Sequence, residues 1–123
     1  MASPEEMRAV VERYLSLLEK GTGADIAALY AEDGRAEDPV GSPPKVGRAA
    51  LEEFYNRAAS MDNSTELLVL RIAGNEAAAH FSVVSKAGDT TYRSAPIDTF
   101  RFNDAGEIVE LRAYWAPSDM TVS

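Results

Sequence analysis

The chain has 123 residues, of which 46% are hydrophobic and 26% charged, a balance typical of one compact soluble domain rather than a disordered or fibrous protein. Its formal charge of −8 disfavours nucleic acid and acidic lipid surfaces as partners, because both repel a negatively charged protein. The lack of cysteine excludes disulfides and thiolate metal sites, and the single histidine leaves no cluster for zinc or haem. We therefore expect one domain, residues 1–123, with neither a metal nor another cofactor.

The first residues, Met1 to Arg8, carry acids where a secretory signal peptide has a basic region. No apolar run along the chain approaches the length of a membrane span. These features predict a cytoplasmic protein that does not enter membranes.

Three helices are predicted in the first half of the chain. Ser3, Pro4 and Glu6 form a capping box with proline at the first helical position, and apolar residues then recur at helical spacing to about Lys20. A short second helix is predicted from Ala24 to Tyr30. The third runs from about Arg48 to Ala59 and carries Phe54 and Tyr55 on its apolar side.

The segment between the second and third helices is predicted to be extended and then irregular. Pro39 restricts Asp38 to extended geometry, and the glycines and prolines that follow maintain a loop as far as Gly47. Alternation along the short extended segment puts Arg35 and Glu37 outward and Asp38 inward.

From Thr65 onward, turn residues at three places separate segments with strand character and predict an antiparallel meander of about four strands. Helices first and strands after indicate an α+β domain, in which a curved sheet wraps over the helices. Such a sheet leaves room for a concave apolar pocket.

Asp98 stands out in the strand from Ser94 to Phe102. A period of two puts it on the same face as Phe100 and Phe102, so an acid faces an aromatic interior. Burial without a cation raises a carboxyl pKa and keeps the group neutral, able to donate a hydrogen bond. The alternative is that a bulge near Pro96 shifts the parity and leaves Asp98 exposed.

Tyr14 and Asp38 have ordinary structural interpretations beside the functional ones. Tyr14 lies inside the apolar stripe of the first helix, where a core tyrosine with a satisfied hydroxyl is the commoner outcome. An aspartate before proline, as Asp38 is, usually sits in a solvent-exposed turn. Inward placement of Asp38 would instead suit a general base.

Three segments together resemble the steroid delta-isomerases, also called ketosteroid isomerases: Arg13 to Leu15 (RYL), Glu37 to Gly41 (EDPVG) and Ala95 to Phe102 (APIDTFRF). The resemblance spans nearly the whole chain and rests on the order and spacing of these segments. It implies a cone-shaped α+β fold of the nuclear-transport-factor-like superfamily and a homodimer. It also implies isomerisation of a 3-oxo-Δ5-steroid to its conjugated Δ4 isomer.

The family likeness further implies a role for each site residue. Asp38 would be the general base, and Tyr14 with a protonated Asp98 would donate hydrogen bonds to the oxyanion, an arrangement for which this family is well known. Tyr30 and Tyr55 would form a hydrogen-bonded layer behind Tyr14 and orient its hydroxyl. The alternative is that both are ordinary core aromatics.

An apolar wall suited to a flat, rigid ligand is expected around these groups. Strand parity pairs Phe81 with Val83 and Leu111 with Trp115 on single faces, whereas His80 alternates away from Phe81. Some wall residues could instead fill the core. The predicted wall comprises Phe54, Phe81, Val83, Phe100, Leu111 and Trp115.

Two other classes of function remain open from the sequence. A different enzyme of this fold, an epoxide hydrolase, dehydratase or cyclase, would need an ionised acid with water or an arginine nearby, and Arg93 and Arg112 are the strand arginines available. Related dehydratases and cyclases also use a pocket histidine. A non-catalytic dimeric module that binds apolar ligands needs only the pocket, and acids inside it would be a liability.

Overall fold

The computed structural model describes all 123 residues, and its first two helices begin at side-chain caps. Helix α1 spans Pro4–Lys20, and its capping box is formed, since the Ser3 hydroxyl accepts from the Glu6 N–H at 3.1 Å. Helix α3 spans Arg48–Ala59, as predicted. No helix combines the length and apolar character that crossing a membrane requires.

The second helix is shorter than the sequence predicts. Helix α2 spans Gly23–Ala27, after a capping box between Thr22 and Asp25, and does not reach Tyr30. Tyr30 instead opens a strand and pairs with Ile108, so sheet pairing with a distant segment overrides the local helical pattern.

Eight strands form one curved mixed sheet, in the order β2-β1-β7-β6-β4-β5-β8 with β3 added on β4. The strands are β1 Tyr30–Glu37, β2 Lys45–Val46, β3 Asp62–Ala73, β4 Glu76–Ala87, β5 Thr90–Ser94, β6 Ile97–Phe102, β7 Ile108–Tyr114 and β8 Thr121–Val122. Only the β1–β7 pair is parallel. The α+β class and the curved sheet over three helices are confirmed.

The predicted meander of about four strands corresponds to β3, β4, β7 and a third segment that the structure divides into β5 and β6. Strand β4 pairs through its second half with β5 and through its first half with β6. The break between β5 and β6 falls at Ala95 and Pro96, where proline lacks the N–H that a continuous ladder needs. Strands β1, β2 and β8 join the sheet in addition to this meander.

The hydrophobic core lies where the helices pack on one face of this sheet. It includes residues of α1 and α3 together with the inward positions of β4, β6 and β7. Because neighbouring strands share their inward positions, this one face supplies both the core and the lining of the cavity described next.

Candidate active site

A cavity of about 460 Å³ opens between the sheet and helices α1 and α3. Thirteen of its 19 lining residues are hydrophobic. Three polar side chains on it come from separate elements: Tyr14 from α1, Asp38 from the end of β1 and Asp98 from β6. The structure thus brings the three residues singled out in the sequence to one site.

Asp98 is buried, as strand parity predicts. Its exposed fraction is 2%, alternating with exposed Ile97 and Arg101, and its Oδ1 atom has no hydrogen-bond partner within the protein. Burial holds the pKa of the Asp98 carboxyl well above its usual value, and the negative charge of Asp38 adds to the effect. Burial therefore favours the neutral carboxyl, whose proton can be donated in a hydrogen bond.

Tyr14 ends a chain of three buried phenols. Its hydroxyl lies 3.2 Å from that of Tyr55, which lies 2.5 Å from that of Tyr30. Burial raises the pKa of each phenol well above its usual value, so all three keep their protons. If Tyr30 donates to Tyr55 and Tyr55 to Tyr14, the Tyr14 proton points into the cavity, where an oxygen can accept it.

Asp38 follows β1 and precedes Pro39, to which it is joined by a cis peptide bond. Its Oδ1 accepts a hydrogen bond from the indole Nε1–H of Trp115 at 2.7 Å. Burial raises the pKa of the Asp38 carboxyl, while the Trp115 hydrogen bond and the charge of Lys45 act in the opposite direction. The Asp38 carboxylate is thus partly desolvated, and the Trp115 indole N–H is its one hydrogen-bond donor within the protein.

The Trp115 donor is a feature that sequence reasoning missed, since it assigned this side chain to the apolar wall alone. A signal was present, because a buried indole N–H normally finds an acceptor. The acceptor could not be named from the sequence, since Asp38 and Trp115 lie 77 residues apart.

Four of the six predicted wall residues line the cavity: Phe54, Phe81, Val83 and Trp115. The other two, Phe100 and Leu111, are neighbours across β6 and β7, are 0% exposed and belong to the core. Parity assigns a face but does not say which part of it the helices cover. Phe100 instead packs edge-on against the Tyr14 ring, with centroids 5.4 Å apart.

Further lining residues could have been found by extending the parity argument. The alternation of Phe81 and Val83 along β4 continues to Ser85 and Ala87, which both line the cavity. The same argument on β7 finds Ala113, which lies between Leu111 and Trp115 on one face. The remaining lining residues are Leu18, Ala58, Met61, Asn63, Tyr92, Ser94, Pro96 and Met120.

No arginine or histidine lines the cavity. Arg112 is paired with Glu37, Nε to Oε1 at 3.3 Å, and Arg93 is exposed on β5. His80 pairs with exposed Ile97 in the sheet and so lies on the face away from the cavity, as parity predicts. No group of three or more histidine, aspartate or glutamate side chains is placed to ligate a metal ion.

Comparison with solved structures identifies the fold. The epoxide hydrolase/cyclase-like enzyme SalBIII, studied for pyran ring formation in salinomycin, matches with a TM-score of 0.91 and 23% identity over 100% of both chains. A computationally designed 17-OHP binder matches with a TM-score of 0.88 and 22% identity, over 96% of this chain and 98% of its own. At such low identity these likenesses establish the fold alone.

Sequence comparison identifies the family. The SnoaL-like domain family matches residues 11–111. A steroid delta-isomerase of Nocardioides simplex is 48% identical over 118 residues, which make up 96% of each chain. These matches confirm the resemblance found in the sequence, and the chain belongs to the SnoaL-like domain family as a relative of this steroid delta-isomerase.

Proposed function

We propose that this protein is an isomerase that converts 3-oxo-Δ5-steroids to their Δ4 isomers through a dienolate. The observation that carries the proposal is the meeting, in one apolar cavity, of a hydrogen-bonded carboxylate, Asp38, with two protonated donors, Tyr14 and Asp98. One base and two donors are what transfer of a proton next to a carbonyl requires. The 48% identical relative bears the name of the same activity.

In this mechanism Asp38 moves the proton. Its carboxylate takes a proton from carbon 4 of the steroid, and the C–H electron pair enters the ring as the carbonyl π electrons move to oxygen. The neutral Asp38 then returns the proton to carbon 6, and the double bond shifts into conjugation. Partial burial favours this role, because a carboxyl with a raised pKa is a stronger base than one in water.

Tyr14 and Asp98 stabilise the negative charge that develops on the steroid oxygen. Both are protonated donors in a desolvated site, where hydrogen bonds to developing charge are worth more than in water. Tyr55 and Tyr30 support Tyr14 from behind by orienting its hydroxyl. Phe54, Phe81 and Val83 provide the apolar surface for the steroid rings.

The test is turnover of a β,γ-unsaturated 3-ketosteroid, followed by the ultraviolet absorbance of the conjugated enone. We expect turnover by the wild type and loss of at least about a thousandfold in kcat for Asp38→Asn, which removes the base and keeps the shape. Asp89→Asn, in the exposed turn between β4 and β5, is the matched control and should retain full activity. Absence of wild-type turnover would refute the proposal, and full activity of Asp38→Asn would refute the base assignment.

The two alternative functions, another enzyme of this fold and a non-catalytic binding module, receive less support from the site. Hydrolase or cyclase chemistry with an arginine beside an acid is disfavoured, because neither Arg93 nor Arg112 lines the cavity. A passive apolar binder gains nothing from Asp98, whose burial is costly unless the acid serves a purpose.

We also infer a homodimer that forms through the outer face of the sheet. Val69, His80, Ile97 and Tyr114 are register partners across four adjacent strands, and the three apolar members are 43–46% exposed. Exposed apolar side chains grouped on one face of a small domain are typical of an interface. The cytoplasmic location expected from the sequence stays a prediction, which cell fractionation would test.

A further inference from the structure

The cavity has a second polar region besides Tyr14, Asp38 and Asp98. Ser85 lines it from β4, and Asn63 lines it from β3 directly opposite Ser85 in the strand register. Each residue is only 8% exposed. Neither takes part in the proposed proton transfer, so their burial in an apolar cavity calls for another reason.

Hydrogen bonds fix the orientation of the Asn63 amide. Its Nδ2 donates to the carbonyl oxygens of Leu18 and Ala58, at 2.9 and 2.8 Å, near the ends of α1 and α3. Carbonyl oxygens only accept, so the NH₂ group must face them and Oδ1 must face Ser85. Asn63 therefore presents an acceptor to the serine.

This orientation determines what Ser85 can do. Its Oγ lies 2.6 Å from Asn63 Oδ1, which only accepts, so the serine hydroxyl donates its single proton there. Ser85 Oγ makes no other hydrogen bond, and its remaining lone pairs are free on a residue that lines the cavity. Towards a ligand in the cavity, Ser85 Oγ can therefore act only as a hydrogen-bond acceptor while it donates to Asn63.

The position of Ser85 places this acceptor at the opposite end from the oxyanion donors. Asp98 pairs with Ala79 on β4, and Ser85 lies six residues further along the same inward face. At about 3.3 Å per residue, the path along the strand is at most roughly 20 Å, and the direct separation is shorter because the sheet is curved. Phe81 and Val83 line the interval, which leaves room for a rigid ring system with a hydrogen bond at each end.

We propose that Ser85, oriented by Asn63, is a specificity residue that selects ligands with a hydroxyl at the end farthest from the 3-carbonyl, carbon 17 in a steroid. A hydroxyl can donate to Ser85 Oγ without disturbing the bond to Asn63. A ketone has no proton to donate, and pairing it with Ser85 would leave the buried Asn63 Oδ1 without a partner. The identity of the ligand as a steroid rests on the function proposed above.

Binding, measured without turnover, tests this inference. The chain has one tryptophan, Trp115, and it lines the cavity, so its fluorescence reports binding. We would titrate three Δ4-3-ketosteroids that carry a hydroxyl, a ketone or no oxygen at carbon 17. The wild type should bind the hydroxyl compound most tightly and the ketone no better than the compound without oxygen. Equal affinity for hydroxyl and ketone would overturn the proposal whether or not any variant folds.

Three variants test whether Ser85 causes the preference for a hydroxyl over a ketone. Ser85→Ala should lower the hydroxyl-to-ketone affinity ratio by about threefold to tenfold. Ser82→Ala, on the opposite face of β4, should leave it unchanged. An unchanged ratio in Ser85→Ala, with a change in Tyr92→Phe instead, would overturn the assignment. A preference for the hydroxyl compound without any turnover would refute the proposed reaction but support the role of Ser85. Turnover without a preference would support the reaction but refute the role of Ser85.

Discussion

Protonation of Asp98 links the proposed chemistry to folding. The unfolded chain binds this proton with a pKa of about 3.9. In the folded protein burial raises the pKa well above that value, so folding takes up a proton at pH values between the unfolded and the folded pKa. The contribution of this group to stability is thus fully present below the unfolded pKa and is lost progressively as pH rises towards the folded pKa.

Asp98→Asn should therefore stabilise the fold at neutral pH, since the amide is neutral without binding a proton. The gain in unfolding free energy should grow above pH 4 by up to about 1.4 kcal/mol per pH unit. Urea unfolding of variant and wild type at several pH values measures it, while turnover should fall because an amide is a weaker donor than an acid. A difference independent of pH would show that Asp98 holds no raised pKa.

Trp115 donates one hydrogen bond to Asp38, the proposed base. Its N–H stabilises the charged form of Asp38, so Trp115→Phe should raise the pKa of that carboxyl further. The base is active when ionised, and the acid limb of kcat/KM should consequently move to higher pH. Phe81→Leu alters the wall without touching Asp38 and should leave the limb in place. An unmoved limb in Trp115→Phe would contradict this role.

At the scale of elements, the phenol chain joins α1, α3 and β1 at one point. Tyr14→Phe removes one of the two proposed donors to the oxyanion and should lower kcat by about a few hundred-fold. Tyr55→Phe leaves that donor and removes only its neighbour, so a loss of roughly tenfold or less is expected. Steady-state kinetics of both variants decide the matter. Equal losses would mean that Tyr55 contacts the reacting oxygen itself.

Contacts between helices and strands also explain which helix ends could be predicted from the sequence. A capping box and periodicity located α1, and periodicity alone located α3, because these signals act within a few residues. They failed at the end of α2, where Tyr30 pairs with Ile108. At the start of α2, Gly23 packs so closely on α3 that a Cβ would collide with the Glu52 carbonyl, and nothing in the sequence marked that contact.

At the scale of the whole molecule, the outer face of the sheet should hold two copies together. Ile97→Glu puts a charge in the exposed apolar row and should weaken the dimer by about a hundredfold or more, because a charge buried without a partner is costly. Sedimentation velocity over a range of concentrations measures this change. Val46→Glu, on edge strand β2, is the control and should remain dimeric. A wild-type monomer at all concentrations would refute the homodimer.

The sequence by itself determined the fold class, two of three helices and the inward face of β6, since caps and periodicities are local properties of the chain. Among the three proposed catalytic residues, the burial of Tyr14 and Asp98 followed from such patterns, and only Asp98 was an unusual residue for its position. Only the tertiary structure decided that Trp115 donates a hydrogen bond to Asp38 and that Phe100 and Leu111 lie in the core instead of lining the cavity. It also decided that the Ser85 hydroxyl donates its proton to Asn63. These contacts join residues on different elements, and local periodicity carries no information on which elements meet.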